Sequence, residues 1–185
     1  MARTPSNMLP LGTKAPYFNL QDTVSGDILD INTLKGNQAT VVMFICNHCP
    51  FVIHVNSEIV SIANTYKAKG VGFVAISSND VTNYPQDAPE HMKIHAKKEH
   101  YPFPYLYDET QDIAKAYDAA CTPDFYVFNK QLELSYRGQL DDSRPQNGIP
   151  VTGEDLRHAL DCLITEKENT KPQKPSIGCN IKWKE

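Results

Sequence analysis

The segment FICNHCPFVIH, residues 44–54, holds the residues best suited to chemistry. Cys46 and Cys49 lie three apart, His48 stands between them, and Pro50 follows directly. Such a pair serves a metal site, a structural bridge or reversible electron exchange between thiols. The flanking elements bear on the choice. ATVVMFIC (39–46) is a continuous β-branched and aromatic run, the pattern of a strand covered on both faces. From Pro50 to Lys69, Val52, Val55, Ile59, Ile62, Ala63 and Tyr66 recur at helical spacing, and Gly70 closes the pattern. The pair thus falls on a strand-to-helix turn. Unpaired N–H groups at a helix start favour negative charge, so a thiolate there titrates below the ~8.5 of a free thiol. His48 adds a positive neighbour, and Pro50 suits the first helical position. Two cysteines at i and i+3 on this turn reach each other in a tight disulfide, which supports exchange by thiolate attack.

The remaining chain must position this turn. Residues 1–16 read as an irregular lead-in. Tyr17–Leu20 and Ile28–Ile31 read as a hairpin around Gly26, followed by a short helix near Thr33. VGFVAIS (71–77) is a second buried strand. A charged helix over 89–99, a strand in PYLYD (104–108) and a short helix over 111–118 follow. Residues 125–129 and 132–137 form an antiparallel pair, and a helix over 152–165 has Thr152 as its cap. The order predicts an α/β fold: a mixed central sheet with helices on both faces and an N-terminal β-hairpin. The domain spans 1–165. Residues 166–185 form a tail expected to lie across its surface, with Trp183 capping the body.

The 185 residues suffice for one core, and five cysteines are an odd number for a disulfide-stapled secreted domain. The opening MARTPSNMLPLG has no apolar signal region, and no run approaches the ~18 residues of a membrane span. A cytoplasmic protein is expected, with neither a membrane nor a nucleic acid as partner; the net charge of −4 fits the latter. The sequence does not indicate an oligomeric state.

These residues resemble the thioredoxin-like superfamily, in particular its redoxin branch of alkyl hydroperoxide reductase/thiol-specific antioxidant proteins. LGTKAPYFNL (11–20) is similar to that branch's opening G-x-x-A-P-x-F-x-L, and VVMFICNHCP to the strand leading into its active-site turn. CTPDFYVF (121–128) resembles the loop carrying a cis-proline opposite that turn, and LSYRGQLDD (134–142) an edge strand of cytochrome-maturation thioredoxins. The chain is also similar to a redoxin group with a CNHCPFV turn and a GCNIKW tail. The resemblance implies a thioredoxin-like fold and a thiol–disulfide oxidoreductase of antioxidant type with no organic cofactor. Its partners would be protein or small-molecule disulfides and thiols, and peroxides in the peroxidase alternative. It implies Cys46 as exposed attacking thiolate, Cys49 as resolving thiol, and Pro123 as the cis-proline holding substrate. Disulfide oxidases of the bacterial periplasm carry a histidine at the place of His48, so a more oxidising turn than thioredoxin's is expected by analogy. Thr40 stands where thioredoxin has a buried Asp, and Ile45 where Trp is common.

Other readings accompany this one. Zinc would take Cys46, Cys49 and His48 or His54, but no second C-x-x-C completes four ligands. Copper(I) suits the same thiols and His48; copper-delivery relatives use C-x₃-C instead. A peroxiredoxin-type peroxidase would use Cys49, before Pro50, as attacking thiol, with Cys46 or Cys179 resolving it. Cys121 reads as an accessory thiol or as a small buried side chain beside the turn, and Cys179 as an accessory thiol in the tail. Asn47, Thr122 and Asn79 are substrate-contact candidates, Asn79 with Tyr84 and Pro85 on the loop after the second strand. Cys162 reads as incidental, His91 and His95 as a solvated face, and Arg137 either as an anchor for Asp141 or Asp142 or simply as the end of a strand.

Overall fold

Six consecutive residues, Ala39–Phe44, are all buried, which a strand achieves only when both faces of its sheet are covered. A computed structural model describes residues 3–185 and places this strand inside a seven-stranded sheet. In chain order the elements are β1 (Arg3–Pro5), β2 (Asn19–Asp22), β3 (Ile28–Asp30), α1 (Ile31–Leu34), β4 (Ala39–Phe44), α2 (Pro50–Lys67), β5 (Val71–Ser77), α3 (Pro89–Lys98), β6 (Tyr105–Tyr107), α4 (Asp112–Ala116), β7 (Cys121–Thr122), β8 (Asp124–Asn129), β9 (Leu134–Gly138), α5 (Glu154–Ile164) and β10 (Ile177–Asn180). The large sheet runs β3-β2-β6-β5-β4-β8-β9. Pairs β4–β5 and β5–β6 are parallel; β4–β8, β8–β9, β2–β3 and β2–β6 are antiparallel. The expected mixed sheet and N-terminal hairpin are both present, and the fold is thioredoxin-like.

Alternation along β4 divides the core. Val41 and Met43 pack with Val52, Val55 and Ile59 of α2, Met92 of α3 and Leu156 and Leu160 of α5. Val42 and Phe44 join Ile31 of α1, Ala114 of α4, Tyr117 and Tyr126 on the other face. Among the described residues, no helix is long and apolar enough to cross a membrane.

Three expectations need correction. The lead-in is not wholly irregular: β1 pairs with β10 (residues 1 and 2 lie outside the described residues). The tail lies on the surface only as far as about residue 175. Its strand β10 sits between β1 and β7 in a three-stranded sheet, with Cys179 and Ile181 buried, whereas Trp183 stays exposed. A branched aliphatic side chain does the docking expected of the Trp. Finally, α5 starts one residue late. Gly153, at φ 65°, is its N-cap, because glycine alone takes that left-handed conformation without strain. Asp141 accepts the amides of Thr152 and Gly153, both at 2.7 Å.

Arg137 also differs from expectation. It is fully buried and reaches not Asp141 or Asp142 but Asp124, at 3.0 Å, and the Asp118 carbonyl, at 2.7 Å. Its guanidinium lies 4.4 Å above the centre of the Tyr126 ring. Asp124 follows Pro123, so the ion pair holds the start of β8 from behind. Burial pushes the Asp124 carboxyl up to about 7, against the pull of Arg137. Removing one partner leaves the other desolvated and unpaired. Arg137→Met should therefore lower unfolding stability by about 3 kcal/mol in urea titration, and adding Asp124→Leu should restore most of the loss. A double variant no more stable than the single one would refute this account.

Candidate active site

The chain leaves β4 at Phe44 and enters α2 at Pro50, with Cys49 as N-cap in an extended conformation. Pro50 takes the first helical position, where its missing N–H has no partner to lose. Opposite this turn, the Thr122–Pro123 peptide is cis. The Cys49 sulfur lies 3.2 Å from the Thr122 carbonyl oxygen, and the Cys46 sulfur 3.5 Å from the Thr122 hydroxyl. β10 runs antiparallel to β7, pairing Cys179 with Thr122, and brings the Cys179 sulfur 2.9 Å from that of Cys49. Three sulfurs from two distant parts of the chain therefore meet at one helix start.

Their charge is not distributed as the sequence suggested. Cys46 was expected as the exposed thiolate; it is 1% exposed. A hydrogen bond to Cys49, burial and the negative charge of Asp87 all push its thiol well up. Cys49 is lowered to about 5, first by the hydrogen bond from Cys46 and then by that from Cys179, against burial; the amides of Val52 and Cys179 act the same way. The Thr122 carbonyl oxygen opposes them, since it favours a proton on Cys49, but two thiol donors and two amides outweigh one acceptor. The helix start thus stabilises negative charge at its cap, Cys49, rather than three residues earlier at Cys46. Cys179 is pushed up to about 12, mainly by burial, and burial likewise raises Cys121.

Asp87 is the residue that sequence reasoning missed. It ends a short 3₁₀ turn, Pro85–Asp87, and is fully buried. Its carboxylate accepts from the Asn47 amide (2.8 Å) and Asn79 Nδ2 (2.8 Å), and lies 2.7 Å from His48 Nδ1. Burial raises its carboxyl, but the hydrogen bonds of His48 and Asn79 bring the net shift below the ordinary value. His48 stacks on Tyr84, with ring centres 5.7 Å apart. The only available signal was an acidic residue in the loop after a parallel strand, which is too common to single out.

The candidate substrate contacts are largely committed to structure. Asn47 Nδ2 donates to the Gln86 carbonyl, and its Oδ1 accepts from the Tyr105 hydroxyl. Asn79 is buried between Asp87 and the tail, accepting from the Lys182 amide at 2.9 Å. Thr122 lies against the sulfurs as described. Tyr84 is half-buried and Pro85 exposed. Thr40, in place of a buried acid, accepts from the Gly36 amide at 3.1 Å. Cys162 lies by His158 on α5, 3.6 Å away.

For a metal, Cys46, His48 and Asp87 offer three donor atoms within 4.8 Å of one another. His54 is not in that group; its Nε2 is 2.7 Å from the Ser143 hydroxyl. A closed zinc site wants four ligands.

A Redoxin family model matches residues 10–155. No curated protein matches the chain. Among solved structures, an uncharacterized conserved protein from Geobacillus kaustophilus is 60% identical, with a TM-score of 0.98 over 100% of this chain and 97% of its own. A hypothetical protein from Sinorhizobium meliloti is 44% identical, with a TM-score of 0.95 over 98% of each chain. A secreted disulfide oxidoreductase from Mycobacterium tuberculosis, 18% identical, matches with a TM-score of 0.60 over 79% of this chain and 96% of its own, a likeness of fold.

The reduced protein should show one thiolate titrating at about 5 by ultraviolet absorbance, absent in Cys49→Ser. Because only the thiolate attacks, reaction with a small aromatic disulfide should slow as pH falls through that value. Titration confined to the alkaline range would refute the assignment. Closure by β10 is testable at Gly178, where a Cβ would collide with the Thr122 carbonyl oxygen. Gly178→Val should loosen the strand and speed alkylation of Cys49 by about tenfold or more, the effect of roughly 1.4 kcal/mol on local opening. Unchanged alkylation would show that β10 does not shield the sulfurs.

Proposed function

Because the chain belongs to the redoxin family, we propose that it is a thiol–disulfide oxidoreductase whose working pair is Cys46 and Cys49. The reading is carried by one observation: both sulfurs lie at the start of α2 against the cis Thr122–Pro123 peptide, Cys46 3.5 Å from the Thr122 hydroxyl and Cys49 3.2 Å from its carbonyl oxygen. The fold supports it, as does the lowered Cys49 thiol.

The charge distribution reverses the roles expected from the sequence. Cys49, the thiolate, attacks one sulfur of a protein or small-molecule disulfide. A Cys49–substrate bond forms, the substrate S–S bond breaks, and the other substrate sulfur leaves as thiolate. Cys46 gives its proton to that leaving group and attacks Cys49, closing the Cys46–Cys49 disulfide and releasing the second substrate thiolate. Two electrons pass from the pair to the substrate. His48, held by Asp87, is a positioning residue that fixes the turn between the cysteines. Pro123 keeps the Thr122 carbonyl oxygen facing Cys49. All three sulfurs are buried, so substrate enters when β10 opens. In a reducing setting such as the cytoplasm the pair rests as a dithiol, and the compartment's potential sets the direction of exchange.

A peroxidase reading has one specific observation in its favour. Cys49 is both the lowered thiol and the residue before Pro50. Its thiolate would take one oxygen from a peroxide, releasing the alcohol or water and leaving a sulfenic acid, which a neighbouring thiol condenses to a disulfide with loss of water.

Both cysteines are needed for turnover, so Cys46→Ser and Cys49→Ser should each reduce insulin disulfides at least about a hundredfold more slowly. The order of roles is separable. With Cys179 also replaced by Ser, Cys46→Ser should accumulate a mixed disulfide on Cys49 by mass spectrometry, whereas Cys49→Ser should accumulate none. Full insulin-reducing activity in Cys46→Ser would defeat the proposal. Thiol-dependent peroxide consumption by the wild type, lost in Cys49→Ser and exceeding its disulfide reduction, would favour the peroxidase reading.

A further inference from the structure

The dithiol turn leaves one sulfur unexplained. Cys179 is 130 residues from Cys49 in the chain, yet its sulfur is 2.9 Å away, approaching the S–S distance of about 2.05 Å. Its position is built rather than incidental. Cys179 pairs with Thr122 and Asn180 with Cys121 on one edge of β10, and Arg3 pairs with Cys179 on the other. Gly178 sits where a Cβ would meet the Thr122 carbonyl oxygen, so glycine lets the tail approach this closely. On either side, Ser176 Oγ donates to the Pro123 carbonyl at 2.6 Å and the Ile181 amide to the Ala120 carbonyl at 3.1 Å. Beyond that, the Asp80 amide donates to the Lys182 carbonyl, and Asn79 joins the Lys182 amide to Asp87 beside His48. Thus the strand that carries Cys179 is tied to both the cis-proline loop and the cysteine turn. Cys121 is close in sequence to the site but packs towards the Pro123 carbonyl, 3.8 Å away.

We propose that Cys179 is a third redox thiol, and that Cys49 is a shared sulfur with two alternative disulfide partners, Cys46 within the turn and Cys179 on the tail. The proposal deepens the oxidoreductase reading and rests on it, because a substrate disulfide supplies the oxidising equivalents. From the Cys46–Cys49 disulfide, the Cys179 sulfur attacks Cys49. The Cys49–Cys179 bond forms as Cys46–Cys49 breaks, and Cys46 leaves as thiolate and takes the proton lost by Cys179. No net oxidation occurs. From a Cys49–substrate mixed disulfide the same attack expels the substrate thiolate, which takes that proton. Either route fastens β10 over the turn, so the second disulfide closes the site that the first leaves able to open. The raised thiol of Cys179 fits a group that stays protonated until its partner is oxidised.

The test uses the full chain. Reduced wild type and Cys46→Ser are treated with oxidised glutathione, alkylated at successive times, and mapped by non-reducing peptide mass spectrometry. Cys46→Ser should form an intrachain Cys49–Cys179 disulfide in most molecules, and wild type should form both Cys46–Cys49 and Cys49–Cys179. If Cys46→Ser stops at a Cys49–glutathione disulfide with Cys179 alkylated, and wild type shows only Cys46–Cys49, the Cys179 proposal is overturned while the dithiol reading stands. If wild type forms only Cys49–Cys179, the dithiol reading fails and the role of Cys179 stands. If neither bond forms, both fail. Should Cys46→Ser not fold, the wild-type time course decides alone, since a Cys49–Cys179 peptide absent at every time overturns the proposal.

Discussion

A negative charge on a buried sulfur is the constraint around which this site is organised. Cys49 is removed from water, and an uncompensated thiolate there would be expelled by its own desolvation cost. The chain compensates with donors from separate elements: the start of α2, the Cys46 thiol, and the thiol and amide of Cys179. Two of these come from the tail. The state of the tail and the charge of the sulfur are consequently linked. When β10 leaves, Cys49 loses donors but gains water, and when it returns, the donors replace the water.

The same logic explains why Asp87 matters more than its place in a loop suggests. After the hydrogen bond to Cys49 and burial, it adds a second buried negative charge to the influences that push the Cys46 thiol up and so favour the proton there. Its own ionisation is secured by His48, Asn79 and the Asn47 amide. Asn79 then accepts from Lys182 of the tail. A continuous polar path therefore runs from the histidine of the cysteine turn to the strand that covers it. Disturbing Asp87 would act on the turn, the charge distribution and the tail together.

What was legible in the sequence follows the range of the interactions involved. β4 and β5 were plain, because a run such as VGFVAIS encodes its own burial; α2 was plain because its apolar residues repeat at helical spacing. The cysteine turn and the cis-proline loop were legible as short motifs. Three features were not. The tail is Lys- and Pro-rich, and its strand is specified by a glycine that must clear a carbonyl 56 residues away in the chain (178 against 122), which no local pattern displays. Arg137 looked like the end of a strand; its partner Asp124 is set by the register between β8 and β9, which pairs Tyr126 with Arg137. The proton's position depends on Asp87 and Cys179, both remote from Cys46 in sequence, so the short motif does not display which of its two thiols carries the charge.

The two sides of the site differ in how firmly they are held, and this difference suits exchange chemistry. Cys46 follows a central strand paired on both sides, by β5 and β8, and Thr122–Pro123 leads into β8, fixed from behind by the Arg137–Asp124 pair. These parts open only with the core. β10 is four residues long and is held by short ladders and loop hydrogen bonds, the class of structure that opens locally at small free-energy cost. Exchange between sulfurs needs a new partner to approach along a line that the old one has vacated. A rigid turn and a rigid cis-proline loop keep Cys49 aimed, and the detachable strand supplies the vacancy. Had both sides been equally rigid, the buried sulfur would be inert; had both been loose, the donors that hold its charge would be lost with the first fluctuation.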